Sequence, residues 1–483
     1  ERLIACSALF SFGLFSCRKP TNNRPNVILF IGDDISVDDF GCYGHPTIRT
    51  PHVDELAQSS VLFTNAYLTT SQCSPTRCSL ITGRYPHNTG APELHMDLPE
   101  GQRMFPQEMK KDGYYCAQAG KWHMGEYAKQ AFDKVYEAES GGPGGENRWV
   151  SCLQERPKDQ PFFMWFSSFD AHRGWDPVEE VKKHDPKDTI IPPYMVDTPA
   201  TRADLAQYFD EVSRLDFYVG AVVEELKNQN ELDNTIIVFM ADNGRPFPRC
   251  KTWLYDSGIK TPLIVSWPKG LDKKRRVCNS LVSAIDIAPT LLDLVGINGP
   301  ETIQGKSFKT LLENPQKIIC EYVFAERNWH TQRSHERMVR WKNWVYIRNS
   351  YPELNQLLVA QRDFPAFKDV VELNKKGRLT NAQKDLLLAP RPAEQLFNLD
   401  NDPEQLNSLV QQKEHEQVLE HLRQVLDEWQ DRTGDTAPPP DKVTPDRHDL
   451  VTGERLYEGG RPPTGILPGE ERKAMLINDP GPR

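Results

Sequence analysis

Stretches of unbroken apolar sequence, separated by segments with helical spacing, constrain this chain more than any other feature. Asn26–Ile31, Pro161–Phe166, Asn234–Met240 and Pro262–Trp267 each run apolar without alternation, as strands buried on both faces do. Val61–Phe63 reads as a further short strand. Between them, Pro51–Gln58 opens with proline and early acids, and a second helix runs from Pro75 towards Gly83. Ala203–Gln229 places Leu205, Tyr208, Val212, Leu215, Val219, Val222 and Leu226 on one helical face, and Ile285–Val295 forms another helix. Strands alternating with helices predict an α/β fold with a mostly parallel sheet covered on both faces. After about Lys309 the pattern changes. Ile318–Ala325 and Met338–Asn349 read as antiparallel strands, Glu414–Trp429 as an amphipathic helix, and the sequence from Thr436 as a Pro-rich tail wrapping the surface or partly disordered. The expected divisions are 24–310, 311–435 and 436–483, preceded by an export segment at 1–17.

A net charge of −10 argues against nucleic acid, because phosphate backbones call for a basic surface. An anionic substrate remains compatible if its counter-charges are gathered in one pocket. The ten cysteines are scattered and form no disulfide framework. Leu3–Phe15 is an apolar run too short to span a bilayer as a helix, and it reads as the core of a secretory signal. Leu14-Phe15-Ser16-Cys17 resembles a bacterial lipobox with Cys17 as the lipid-bearing residue; an ordinary cleaved signal is the alternative. Both imply export, to a bacterial periplasm or cell surface, with a membrane met only through that lipid.

Asp33-Asp34 follow one strand and Asp242-Asn243-Gly244 another, and open α/β sheets bind ligands beyond the carboxyl ends of their strands. The donors are all hard oxygens, which suits Ca²⁺ or Mg²⁺ rather than Zn²⁺. Each pair alone is equally a turn or a cap. Cys73 lies just ahead of the helix opening at Pro75, and Arg77 points back over that first turn. A nucleophile at Cys73 would feel a helix N-terminus and a guanidinium. A cysteine hydrolase, however, also needs a histidine base and has no use for four oxygen ligands.

Cys73-Ser-Pro-Thr-Arg77-Cys-Ser-Leu-Ile-Thr82-Gly83-Arg84 satisfies the whole C-x-P-S/T-R-x-x-x-x-T-G-R signature, and on it the chain resembles the type I sulfatases. Gly41–Gly44, Thr50–Leu56, Gly120-Lys121-Trp-His123-Met-Gly125, Asp170-Ala-His172-Arg173 and Ala241–Gly244 match in order. The resemblance implies an alkaline-phosphatase-like α/β fold with a smaller C-terminal antiparallel subdomain. It implies that Cys73 is converted to formylglycine by a maturating enzyme. One hydroxyl of the hydrated aldehyde would attack sulfur, and the other would let sulfate leave. Asp33, Asp34, Asp242 and Asn243 would hold Ca²⁺, ahead of Mg²⁺, together with the hydrate at Cys73. Arg77, Lys121, His123, His172 and Lys251 would surround the sulfate, with His172 favoured over Lys251 as proton donor. Lys251 is assigned by its spacing after Gly244.

Val196–Leu205, Ser213–Asp216, Asp242–Pro248 and Leu396–Pro403 resemble the heparan N-sulfatase (sulfamidase)-like branch, as does Leu94-His95-Met96-Asp97. That places His95, Asp97, Asp170 and Arg173 among expected substrate-binding residues. The implied substrate is a sulfated oligosaccharide, N-sulfoglucosamine first and an O-sulfated sugar second. The rivals are a phosphoester or phosphonate hydrolase of the same superfamily and a non-catalytic glycan-binding protein. The basic and aromatic stretch Glu326–Trp341 is expected either to wall the pocket, leaving room only for a chain end, or to be a packed hairpin with solvated charges.

Overall fold

The structure, a computed structural model, describes residues 24–136, 143–272, 274–354, 363–450, 452–457 and 461–483. The expected export segment, Cys17 included, lies outside the described residues. No helix among the described residues is long and apolar enough to cross a membrane.

In chain order the first ten strands are β1 (Asn26–Gly32), β2 (Val61–Phe63), β3 (Ala66–Tyr67), β4 (Tyr115–Gly120), β5 (Lys134–Tyr136), β6 (Phe162–Ser167), β7 (Thr235–Ala241), β8 (Leu263–Ser266), β9 (Arg276–Cys278) and β10 (Val282–Ser283). Eight of them form one sheet in the order β5-β4-β6-β1-β7-β8-β2-β9, while β3 and β10 pair separately. The five strands from β5 to β7 are parallel. The Pro262–Trp267 run forms β8, which is antiparallel to both its neighbours. That reversal matters for the site. Leu263 pairs with Met240, so the chain leaving β7 turns back without crossing over, and residues 242–262 stay above the strand ends.

The central strands are buried on both faces, which is why they read as unbroken apolar runs. Val27, Leu29, Ile31, Phe163, Trp165 and Val238 pack with Leu80, Ile81 and Leu291 on one side. Ile28, Phe30, Met164, Phe166, Ile237 and Phe239 meet the helix Pro199–Asn228 on the other. That helix begins four residues before the periodicity suggests. Pro199 pre-sets its first turn, and Thr198 accepts from the Thr201 amide as N-cap. All seven expected apolar-face residues of this helix are buried. Each contributes about 1.5–3 kcal/mol by its transfer from water.

A second sheet, β11 (Tyr322–Arg327), β12 (Glu336–Trp341), β13 (Trp344–Asn349) and β14 (Glu394–Asn398), is antiparallel throughout. The first of these starts later than expected, and Ile318 is exposed. The helix Glu416–Thr433 covers one face, with Trp429 stacked on Phe324 at 5.0 Å between ring centroids. Glu326 bridges to Thr70, its amide donating to the Thr69 carbonyl, and so docks this sheet beside the helix Cys73–Thr82. Where described, the C-terminal residues bond to loops and helices of both parts of the chain. Arg84, the last residue of the cysteine signature, donates to Asn478 Oδ1 at 2.6 Å and to the Ile477 carbonyl at 2.9 Å.

Candidate active site

Four adjacent parallel strands end at one place, in the order β4-β6-β1-β7. They deliver Lys121, Ser167, Asp33-Asp34 and Asp242-Asn243 in that sequence. Gly32 and Ala241 are register partners, so the two acidic strand ends lie side by side. The Asp34 amide donates to Asp242 Oδ1 at 3.2 Å. The helix Cys73–Thr82 enters over them, entirely buried. It starts at Cys73 itself, with Gln72 as N-cap, two residues before the proline that marks it in the sequence.

Ligand atoms of Asp33, Asp34, Cys73 and Asp242 all lie within 4.8 Å of one another. Cys73 Sγ is 3.7 Å from Asp34 Oδ1. Each carboxylate has a close cationic partner, and Asp33 has Arg77 as well, at 3.8 Å. Arg77 donates Nε and Nη2 to Asp242 Oδ2 at 2.9 and 2.7 Å, and its Nη1 to Ser167 Oγ. Lys121 pairs with Asp33, and Lys251 with Asp34. Asn243 Nδ2 donates to Asp34 Oδ1 at 2.7 Å, which turns its carbonyl oxygen the other way. Asp33 Oδ1 and Asn243 Oδ1 are buried without a hydrogen-bond partner. Buried oxygens of this kind normally find a partner. These two fit a hard divalent cation, as does the carboxylate and amide donor set. Burial opposes ionisation of Asp33, but Lys121, His172, Arg77 and Lys251 hold its carboxyl well below the usual range. Burial and the neighbouring Asp33 push Asp242 up, against the pull of Arg77. A divalent cation between the two carboxylates would relieve that repulsion.

The thiol differs from the sequence expectation. Burial pushes Cys73 well above the ordinary range, and Lys121 and Lys251 offset only part of this. The Arg77 guanidinium is committed to Asp242 and Ser167, so an unmodified Cys73 rests as a neutral thiol.

The cavity above Cys73 holds about 340 Å³ and is lined by Asp34, His95, His123, His172, Arg173 and Lys251 from the large-sheet part of the chain. His95 Nδ1 and His123 Nε2 share a hydrogen bond of 2.7 Å. His172 Nδ1 donates to the Arg173 carbonyl at 2.6 Å, which leaves Nε2 for chemistry. Lys251, followed by burial, holds the His172 imidazole below its ordinary pKa.

Four expected substrate-binding residues lie off the cavity lining: Arg77 and Lys121, held beneath it by Asp242 and Asp33, and Asp170 and Asp97. Asp170 has its carboxylate on Arg214, at 2.6 and 2.7 Å, and does not line the cavity. Its backbone instead aligns the site, because its carbonyl accepts from the Asp33 amide. Asp97 is exposed and lies against Gly125, away from the cavity lining. Arg173 does line the cavity, but its fork is occupied by Asp204 at 2.8 Å on both arms. From the Glu326–Trp341 stretch only His330 and Thr331 reach the cavity. Arg327 pairs with Glu336 and Arg337 with Asp435, because these strand positions point into the packed interior. Sequence reasoning missed Phe364 and Arg447, which also line the cavity and carry no local signal; Pro246, inside the matched stretch Asp242–Pro248, lines it too.

The sulfatase family model matches residues 25–144 and 146–297, and that for the C-terminal part of N-sulphoglucosamine sulphohydrolase matches residues 249–391. The human N-sulphoglucosamine sulphohydrolase is 31% identical, over 89% of this chain and 93% of that protein. An ulvan-active sulfatase of Formosa agariphila is 29% identical, over 86% of this chain and 76% of that protein. A solved structure of BT4656 in complex with its substrate D-glucosamine-2-N,6-O-disulfate shares the fold, with a TM-score of 0.66 at 20% identity over 84% of this chain and 98% of that one.

Proposed function

The chain belongs to the sulfatase family and is a hydrolase of sulfate esters or sulfamates. We propose that it removes sulfate from the terminal sugar of a sulfated saccharide, N-sulfoglucosamine first and an O-sulfated sugar second. The observation that carries this reading is the convergence of Asp33, Asp34, Asp242 and Asn243 on Cys73 beneath a cavity lined by Lys251, His123 and His172. The second substrate is kept because the ulvan-active relative is nearly as similar as the human sulphohydrolase.

Asp33, Asp34, Asp242 and Asn243 would hold Ca²⁺, which when bound supplies fixed positive charge beside the sulfate oxygens. Converted to formylglycine by a maturating enzyme, Cys73 would supply paired hydroxyls, one to attack sulfur and one to release sulfate. The rest falls to side chains already in place. Arg77 fixes the Asp242 carboxylate and does not itself face the cavity. Lys121 and Lys251 orient Asp33 and Asp34, and their charge favours negative charge building on the sulfuryl group. His172 is anchored through Nδ1, so a proton for the departing atom, the amine nitrogen of an N-sulfate or the sugar oxygen of an O-sulfate, would sit on Nε2. An incoming sulfate would offset the Lys251 charge that otherwise holds this imidazole's pKa down.

Exo-action is supported by the size of the cavity, about 340 Å³, and by the C-terminal residues His330, Thr331 and Arg447 on its wall. The apolar run at residues 3–15 supports export, and the lipobox-like residues 14–17 support a lipid on Cys17. Matured protein should release sulfate from N-sulfoglucosamine or a 6-O-sulfated glucosamine, read by ion chromatography. No release from any sulfated sugar would overturn the reading.

A further inference from the structure

The cations around the site are paired, with one exception. Lys251 and Arg173 line the cavity with Asp34 and Asp204 as partners, and below it Lys121 and Arg77 are held by Asp33 and Asp242. Arg447 lines the same cavity and has no carboxylate partner among the described residues. Its Nε is buried without any hydrogen-bond partner. The charged group that bears on it is Arg455, which repels. The side chain is only partly buried, so the rest of the guanidinium meets the open cavity without a counter-charge, and an anion entering there would pair with it.

The backbone around Arg447 is pinned on both sides. Its amide donates to the Thr331 carbonyl at 2.8 Å, and its carbonyl accepts from the Leu456 amide at 2.9 Å. The preceding Asp446 accepts from the Arg333 amide at 2.7 Å and pairs with its guanidinium. The side chain is therefore presented to the cavity from a fixed strap. It does not stand over the reacting atoms. The charges that bear most on Cys73 are Lys121, Lys251, Asp33 and Asp242, whereas Arg447 bears on His95.

We infer that Arg447 forms a subsite for a second anionic group, sulfate or carboxylate, on the saccharide whose first sulfate is removed. This rests on the reading of the protein as a saccharide sulfatase. The planar fork suits both groups through paired, charge-assisted hydrogen bonds. A second sulfate on the same sugar, or the carboxylate of an adjoining uronate, would place such a group beside the reacting one.

The test uses full-length matured protein and three probes: glucosamine 2-N-sulfate, glucosamine 2-N,6-O-disulfate, and N-sulfoglucosamine linked to a uronate. The wild type should prefer at least one doubly anionic probe in kcat/KM. Arg447→Ala should cut that preference roughly tenfold to a hundredfold, the loss of a charged hydrogen-bond pair, and Arg447→Lys should retain part of it. The probe that loses its advantage identifies the second group. A wild type without preference, or a preference unchanged in Arg447→Ala, would overturn the subsite. Calorimetric binding of the same probes separates this from failure of the parent reading. If no probe is turned over but Arg447→Ala still weakens binding of a doubly anionic one, the sulfatase substrate is wrong and the subsite stands. Turnover with no effect of Arg447 in either readout removes the subsite alone.

Discussion

Lys251 holds Asp34 by both carboxylate oxygens, with Nζ 2.5 Å from Oδ1 and 2.7 Å from Oδ2. The two residues are brought together by the loop that returns from β7 into antiparallel β8. With Lys121–Asp33 and Arg77–Asp242, the pair leaves three carboxylates balanced by three cations. A divalent cation added to that set gives the positive excess that an anionic sulfate requires. Lys251→Met should strand a buried charge on Asp34 and cost about 3–5 kcal/mol in chelator, the range for breaking a buried ion pair. Denaturant titration with and without Ca²⁺ checks this, and the loss should shrink when the cation is present.

Cys73→Ala should abolish turnover and leave the melting temperature close to that of the parent, because a 2% exposed thiol is replaced by a smaller apolar group. Mass spectrometry of the peptide carrying Cys73 should show the aldehyde or its hydrate in active preparations. Full activity from wholly unmodified Cys73 would falsify the assigned nucleophile.

Removing divalent cations should lower both activity and melting temperature, and Ca²⁺ should restore both. Bound cation stabilises by mass action, about 2.7 kcal/mol at a hundred times its Kd. Asp242→Ala should lose the response to Ca²⁺ as well as activity, since it removes a proposed cation ligand and the closest carboxylate partner of Arg77. Zinc as the sole cation in active protein, by elemental analysis, would contradict the oxygen donor set.

His172→Gln should slow turnover by roughly a hundredfold to ten-thousandfold on saccharides whose leaving oxygen needs a proton. On an aryl sulfate with a good leaving group the loss should be much smaller. Equal losses on both substrates would remove proton donation from His172 and leave it a binding role.

A pH-dependent term in stability should come from His45, away from the site. Its Nδ1 accepts from the Thr47 and Ile48 amides at 3.3 and 3.0 Å, so the folded protein favours the unprotonated ring. Burial and the Arg245 charge push its pKa down to about 4, from 6.5 in the unfolded chain. Between those values the unfolded state binds more protons, so stability rises with pH from about 4 to 6.5 and falls on acidification. His45→Asn keeps a local acceptor and should flatten that part of a plot of melting temperature against pH.

The chemistry at the strand ends was legible because it is local. Asp33-Asp34 and Asp242-Asn243 follow unbroken apolar runs, and such runs must be strands buried on both faces whose ends open into loops. Cys73 and Arg77 share one helical turn, so their proximity also follows from spacing. The direction of Arg77 did not follow. Its guanidinium lies against Asp242 because the sheet order places β7 beside β1, and no periodicity in the chain encodes that order.

The same limit separates the residues of the outer shell. Asp170 and Arg173 belong to a motif that reads as substrate-binding, yet Arg214 and Asp204 of the long helix claim their charges. Arg447 lies in a Pro-rich stretch that reads as a tail, yet the backbone bond to Thr331 brings it to the cavity. Local sequence carries the alternating layers, the two acidic strand ends and the cysteine signature, since each depends on residues close in the chain. Which charges are spent on one another and which are left facing the cavity was decided by the tertiary structure alone. Ion pairs form between whichever groups the packing brings together, and at this site their partners come from strands, loops and a helix far apart in the chain.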